Sequence, residues 1–353
     1  MKIKVGIIGC GAITEFRHAP EYRMNKNVEI IAFCDAQLKR AEKLANEYGG
    51  KVFSDYQDIF KMKDLDAVSV CTSNNSHANI TIEALRAGKH VLCEKPMATS
   101  IEDARAMIEN AEKYGKFLMI GHNQRLDQVH VKAKHILDSG ELGRILSFKT
   151  CFGHAGPEMW STDKGTHTWF FKKNSASVGA LGDLGIHKAD LIRFLISDEI
   201  DEVCAMTLTA DKRDEHGEWI GVEDNAACIL KSKKGIVGNL NASWTYYGEQ
   251  DNSTILYCEK GMMRILEHPE YQIIIEKKDG ERIYYKTGNS AIDRSQISSR
   301  IIDAFVQSII SGIKPEISGE VGLEALSIIL ACMESHERKA FVKVKHFFQH
   351  GEI

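Results

Sequence analysis

The sequence predicts an α/β protein of two domains that opens with a doubly wound parallel sheet. Three observations predict it. Short apolar runs recur through the first third of the chain, at Val5–Ile8, Ile30–Cys34, Ala67–Cys71, His90–Cys93 and Leu118–Ile120. Segments of helical period separate them. A glycine-rich turn, Gly9-Cys10-Gly11, follows the first run at once. The runs are compact and lack strict alternation, as expected of strands buried on both faces of a parallel sheet. Strands alternating with helices in this way define the doubly wound class.

Each element has its own signal. After Ser100, the residues Ala104, Met107, Ile108 and Ala111 form one helical stripe. Ser100 and Asp103 resemble a capping box at its start, and Gly115 suits its far end. Later runs read as strands bounded by Gly or Asp turns, among them Ile145–Thr150, Val203–Thr209, Ile236–Ala242, Gln272–Glu276 and Arg282–Tyr285.

At 353 residues the chain suits two domains of ~150 residues each. Apolar residues make up 43% and charged residues 27%, the balance of a soluble globular protein. The net charge is -4 with no long basic stripe, which argues against nucleic acid or an anionic membrane as partner. No apolar run reaches the ~20 residues of a membrane span. The charged start Met1-Lys2-Ile3-Lys4 leads into an apolar run that glycine soon interrupts, so it reads as a strand rather than a signal peptide. The nine cysteines form no C-x-x-C pair. They predict thiols in a reducing, cytoplasmic setting, without a disulfide framework or zinc site.

The Gly9–Gly11 turn carries the first functional signal. Gly9 permits the tight turn, and Gly11 lets a pyrophosphate approach the backbone at a helix N-terminus. Thr14 occupies the third glycine position of the usual fingerprint. The second strand ends at Asp35, near the ~20-residue spacing of the acid that binds an adenosine ribose. The alternative is that Asp35 caps the next helix. Its charge would repel a 2′-phosphate, and Ala36 and Gln37 supply no adjacent cation, although Lys39 and Arg40 follow. The pattern favours NAD over NADP.

Several further blocks together resemble the Gfo/Idh/MocA oxidoreductase family, which includes inositol dehydrogenases and glucose–fructose oxidoreductase. The most specific is Ala87-Gly88-Lys89-His90-Val91-Leu92-Cys93-Glu94-Lys95-Pro96. Thr72-Ser73-Asn74-Asn75-Ser76-His77 resembles the family's T-P-N-x-x-H segment, with Ser73 replacing proline. Gly121-His122-Asn123-Gln124-Arg125 resembles the crossover between domains, and Gly182-Asp183-Leu184-Gly185-Ile186-His187-Lys188-Ala189-Asp190 the active-site helix. The closing blocks are Ser318-Gly319-Glu320 and Ala331-Cys332-Met333-Glu334-Ser335.

The resemblance implies a Rossmann domain over 1–122. An α/β substrate and oligomerisation domain with a large open, mostly antiparallel sheet then follows over 123–353. It implies a cofactor held by Gly9, Gly11, Ala12, Ile13, Asp35, Thr72, Ser73, Asn74, His77, Glu94 and Lys95. It also implies a homodimer or homotetramer joined through the second sheet.

It places Lys95 beside the nicotinamide and the reacting hydroxyl, where its ammonium stabilises alkoxide character. Asp183 and His187 are spaced to share one helical face, which Asp190 extends. His187 is a proton acceptor suited to neutral pH. Asp183 either orients it or binds a neighbouring hydroxyl, and Asp190 binds another. Whether Lys95 or His187 is the principal base stays open. Arg125 either holds a substrate hydroxyl or carboxylate, or sits in a surface ion pair. Trp160 and Trp169 either stack on a sugar ring or pack. His154, His167 and His216 lack metal-ligand spacing, and no metal is predicted.

These readings converge on hydride transfer between NAD and a secondary alcohol or ketone of a cyclic polyol, sugar or sugar derivative. Two rivals remain: a glycoside-cleaving enzyme using transient NAD redox chemistry, and a non-catalytic nucleotide-binding sensor. The intact set of Lys95, Asp183 and His187 argues against the sensor.

Overall fold

A computed structural model describes residues 2–287 and 298–348. Six strands form a parallel sheet: β1 (Ile3–Ile8), β2 (Val28–Cys34), β3 (Lys51–Phe53), β4 (Ala67–Val70), β5 (His90–Cys93) and β6 (Leu118–Ile120). Their order is β3-β2-β1-β4-β5-β6. Every residue of β4 is buried, which is why these runs carry no polar alternation. The order reverses between β1 and β4, the switch point at which such sheets bind ligands. Gly9 lies there with φ 93°, and a Cβ on it would meet the Cys71 carbonyl at 2.5 Å. Only glycine fits. The helix Ile101–Tyr114 starts as expected, with the Asp103 N–H donating to Ser100 Oγ at 3.1 Å, and ends at left-handed Gly115.

The second sheet has nine strands: β7 (Ile145–Gly153), β8 (Ile200–Leu208), β9 (Asn225–Ser232), β10 (Val237–Ser243), β11 (Thr254–Cys258), β12 (Gly261–Ile265), β13 (Ile273–Lys277), β14 (Arg282–Tyr285) and β15 (Val342–Lys343). Their order is β14-β13-β12-β11-β7-β10-β9-β8-β15. Among the described residues, only the β7–β10 pair of this sheet is parallel. The helices Gln128–Asp138, Ile186–Ile196 and Gly319–Arg338 bring Ala133, Leu191 and Ile328 into the core beneath it. In β9 the pattern alternates, with Cys228 and Leu230 buried and Ala227, Ile229 and Lys231 exposed, so the other face is open.

The chain does not leave the first domain for good at Asn123. Helix Ile301–Ser311 returns Ile301, Ile302, Phe305 and Val306 to the core that holds Val5 and Phe33 of the first sheet. The Ile120 N–H donates to Ile317 O at 2.9 Å, docking this returning segment beside β6. Helix Gly319–Arg338 then gives Leu323 and Leu326 to the first domain and Ala325, Ile328 and Ile329 to the second. Eight of the nine cysteines are buried thiols, consistent with packing as small hydrophobes. Among the described residues, no helix is long and apolar enough to cross a membrane.

Candidate active site

Three cavities run into one another along the C-terminal ends of the first sheet. The first contains Gly9, Gly11, Asp35, Ala36, Arg40, Thr72 and Ser73. Asp35 is fixed at its edge: its Oδ2 accepts the Cys10 N–H and its Oδ1 the Gln37 N–H, each at 2.8 Å. Thr14, at the third fingerprint position, donates its hydroxyl to Gly9 O at 2.6 Å. It ties the turn down where a glycine would only permit close packing. Arg40 shares this cavity with Asp35 but forms an ion pair with Asp163 of the second domain.

The second cavity shares Gly11, Arg40, Thr72 and Trp169 with the first and continues past Asn74 and His77 to Glu94, Lys95 and Asp183. Asn74 donates to Ala176 O at 2.9 Å, joining the two domains. His77 braces the loops, its Nδ1 2.8 Å from Pro96 O and its Nε2 3.0 Å from Thr72 O. Each ring nitrogen thus faces a backbone carbonyl, and the neutral ring donates to one of the two. Ser73 Oγ donates to Asn75 at 2.8 Å. Glu94 accepts from His18 Nε2 at 2.9 Å and from the Lys95 N–H at 3.2 Å. Burial pushes its carboxyl up, but the His18 bond and charge and the Lys95 charge outweigh this and hold it below the usual range.

The third cavity opens from the second at Ala12, Ile13, Glu94, Lys95, Trp160 and Asp183, and adds His187, Asn123, Gln124, Phe16, Arg17, Met159 and Gln250. Two short π-helical turns shape it, Thr14–His18 and Leu181–Gly185. Such turns re-aim side chains and recur at functional sites. A Cβ on Gly182 would meet Val178 Cβ at 2.8 Å, and one on Gly185 would meet Leu181 Cδ1 at 2.6 Å. These glycines permit close packing of the turn on its own chain, rather than close approach of a ligand.

Lys95 Nζ donates to Asp183 Oδ1 at 2.9 Å and to Asp183 O at 3.0 Å. Trp244 Nε1 donates to Asp183 Oδ2 at 3.2 Å. Asp183 therefore orients Lys95, and no hydrogen bond joins it to His187, contrary to the simple helical reading. His187 Nδ1 is buried without a partner, which leaves Nε2 as the nitrogen for the cavity. Burial, then the Lys95 charge, with His122 and Lys188 adding to it when protonated, hold the imidazole well below its usual pKa of 6.5. The ring is neutral at pH 7 with one unprotonated nitrogen, and the same burial and charge make it a weaker base than a free imidazole.

Three expectations need correction. Arg125 and Asp190 do not line the cavities. They bind each other through Nε–Oδ2 at 2.7 Å and Nη2–Oδ1 at 2.8 Å, both side chains buried. A buried carboxylate is retained only when paired, and Arg125 is its partner rather than a substrate's. Trp169 lines the two cofactor-side cavities and not the third, stacked on Phe170 at 3.9 Å. Trp160 alone of the two forms a wall of the third cavity. Sequence reasoning missed His18, Trp244, Phe16 and Met159, which reach the site through folding. Among the described residues, Glu199, Glu324 and His346 have metal-ligand spacing. Arg193 binds Glu199, and His346 with the Phe347 N–H binds Glu324, so each carboxylate of the cluster already has protein partners.

The reversal at Gly9, the acid at Asp35 and the lysine-lined second cavity define an NAD-binding oxidoreductase. Residues 3–122 match the oxidoreductase family with an NAD-binding Rossmann fold, and residues 130–264 match the Gfo/Idh/MocA C-terminal domain. The chain belongs to the Gfo/Idh/MocA family. A D-glucoside 3-dehydrogenase of Escherichia coli is 30% identical to it over 72% of this chain and 74% of its own. A myo-inositol 2-dehydrogenase of Thermotoga maritima is 27% identical over 97% of this chain and 99% of its own. A levoglucosan dehydrogenase in complex with NADH and L-sorbose has a TM-score of 0.84 at 25% identity, covering 98% of this chain and 100% of that one.

Proposed function

We propose that this protein is an NAD-dependent dehydrogenase that oxidises a secondary alcohol of a cyclic polyol, sugar or sugar derivative, and reduces the ketone in reverse. The observation that carries this reading is that Lys95, Asp183 and His187 meet in one cavity continuous with the Asp35 cavity. The residues fit a dinucleotide: Gly11 meets nothing closer than Thr162 Oγ1, at 3.6 Å from where its Cβ would be, and Asp35 presents a fixed carboxylate to ribose hydroxyls. Bound NAD would supply the hydride acceptor.

The chain's own residues do the rest. Asp183 holds the Lys95 ammonium at the seam of the two cavities. Lys95 Nζ donates to the substrate oxygen and stabilises negative charge there. His187 accepts the hydroxyl proton. Asn123 and Gln124 offer amides to neighbouring hydroxyls, and Trp160 offers an aromatic face to the ring.

The test is a panel of inositols, aldoses and glycosides incubated with NAD and followed by NADH absorbance. Net NADH formation from at least one, abolished in His187→Ala, is expected. Glycoside cleavage without net NADH would point to the transient-redox rival instead. No turnover with any of the panel and no cofactor binding would defeat the proposal.

The buried thiols favour a reducing compartment, and we assign the protein to the cytoplasm. The open sheet face supports a homodimer or homotetramer. Met206, Leu208, Ile229 and Val237 are each at least 44% exposed there, and association would bury them.

A further inference from the structure

The cofactor cavities are not built from the first domain alone. Ser161, Thr162 and Asp163 of the second domain line the second cavity together with Gly11 and Arg40. Thr162 Oγ1 lies 3.6 Å from where a Cβ on Gly11 would be, so the segment passes beside the glycine turn. Ser161 is buried and donates its hydroxyl to Asp163 O at 2.9 Å, which fixes the backbone that carries the Asp163 carboxylate. That carboxylate binds the Arg40 guanidinium. The Arg40 and Asp163 side chains are 21% and 39% exposed, so water screens the pair only in part.

Arg40 stands in the first turn of the helix Leu38–Tyr48, shortly after Asp35. Among the described residues, it is the one cation lining the Asp35 cavity. Lys39 and Lys43 of the same helix do not line it, and Lys43 binds Glu15 at 2.9 Å. A 2′-phosphate adds about two negative charges at the ribose. In dinucleotide folds such a group is accommodated by an arginine near the acid position, through charge-assisted hydrogen bonds. Arg40 has the chemistry and the place for that contact, but its guanidinium is already engaged by a carboxylate. Specificity arises from withholding an attractive group as well as from repulsion, and Asp35 supplies the repulsion.

We propose that Asp163 is a cofactor-specificity residue. By holding Arg40 it denies a 2′-phosphate its cation, so the second domain takes part in selecting NAD over NADP. This rests on the reading of the Asp35 cavity as the adenosine ribose site. A 2′-phosphate has to displace Asp163 from Arg40 as well as withstand Asp35. The ribose hydroxyls of NAD do neither, because they need only the Asp35 carboxylate.

The test reads binding alone. The unsubstituted protein, Asp163→Asn, Arg40→Met and Arg40→Met/Asp163→Asn are each titrated with NADH and with NADPH by fluorescence. Asp163→Asn keeps the shape of the side chain and removes its charge. It is expected to raise the affinity for NADPH relative to NADH by about tenfold, the scale of one charge-assisted hydrogen bond. In the Arg40→Met background the same substitution should change that ratio by less than about twofold. A ratio unmoved or lowered by Asp163→Asn would overturn the inference. So would a gain that persists without Arg40, since the Asp163 charge would then act on the nucleotide directly. Saturable NADH binding with an unmoved ratio overturns this inference alone and leaves the assignment of the cavity standing. Binding of neither nucleotide by the unsubstituted protein overturns both.

Discussion

Lys95 holds Asp183 by two hydrogen bonds, one to the carboxylate at 2.9 Å and one to the backbone carbonyl oxygen at 3.0 Å. The pair joins the loop after β5 to the π-helical turn of the second domain, across the seam of the second and third cavities. One contact thus fixes both a side chain and the backbone that frames it.

The two residues should therefore behave as a unit. Lys95→Ala and Asp183→Ala should each lower kcat by at least about 100-fold. The double variant should lose much less than the product of the two. NAD affinity should largely survive Asp183→Ala, since Asp183 does not line the part of the connected cavities that holds Asp35 and the Gly9 turn. Multiplicative losses in steady-state assays would show that the contact does not couple them.

The imidazole of His187 is depressed by burial first and by the Lys95 charge next. As a base it stays ready below the ordinary histidine pKa, so the acid limb of kcat/KM should fall well below pH 6.5. Removing the Lys95 charge in Lys95→Met removes one cause of the depression, and the limb should move up. A half-maximal point at or above pH 6.5 in the unsubstituted protein would exclude His187 as the titrating base.

Arg125 and Asp190 are buried and doubly hydrogen-bonded. Asp190→Ala would strand Arg125 and should cost about 3–5 kcal/mol of stability, and Arg125→Ala should cost less, because Arg193 Nη1 remains 3.8 Å from Asp190. Replacing both, as Arg125→Met/Asp190→Leu, should recover much of that loss. Denaturant melts decide it: a loss below about 1 kcal/mol in each single variant would return these residues to the substrate.

Glu223 is buried and accepts the Leu181 N–H at 3.0 Å, fixing the start of the turn that carries Asp183. Burial raises its pKa to about 7 from the usual 4.5, against the opposing pull of nearby backbone N–H groups. The folded state then holds this proton more tightly than the unfolded one. Its contribution to stability is greatest below pH 4.5 and declines as pH rises through about 7. Glu223→Gln keeps an acceptor and removes the titration. Its stability relative to the parent should rise across this window, by roughly 3 kcal/mol at pH 8. A difference constant from pH 4 to pH 8 would refute the assignment.

Asp35 should set cofactor choice. Asp35→Ser with Ala36→Arg should shift preference toward NADP, helped by Arg40 in the same cavity. Equal binding of NADP and NAD by the unsubstituted protein, measured by fluorescence titration, would contradict this.

Much of this site was legible because its signals are local. The Gly9 turn, Asp35 at a strand end and the Asp183–His187 spacing each lie within a few residues of the backbone feature that positions them. Arg125 stays open in the sequence between a ligand and a surface ion pair, and Asp190 reads as a ligand, because nothing near either in sequence shows that they meet in the interior. The π-helical turn Leu181–Gly185 likewise depends on packing: Gly185 lies against Leu181 and toward Ala242, 3.5 Å from where its Cβ would be. Helical spacing therefore puts Asp183 in one cavity with His187, while the fold gives its carboxylate to Lys95. Trp169 was separated from Trp160 only by the path of the loop between them.

The return of Ile301–Val321 to the first core has a consequence for synthesis. A ribosome releases the chain from its N-terminus, so the first sheet emerges long before the segment that covers part of it. Until then the faces that Phe305 and Val321 will cover stand open, a state prone to capture by other apolar surfaces. The strands of the nucleotide domain are made before residues 301–321, yet their core cannot close until that segment has followed.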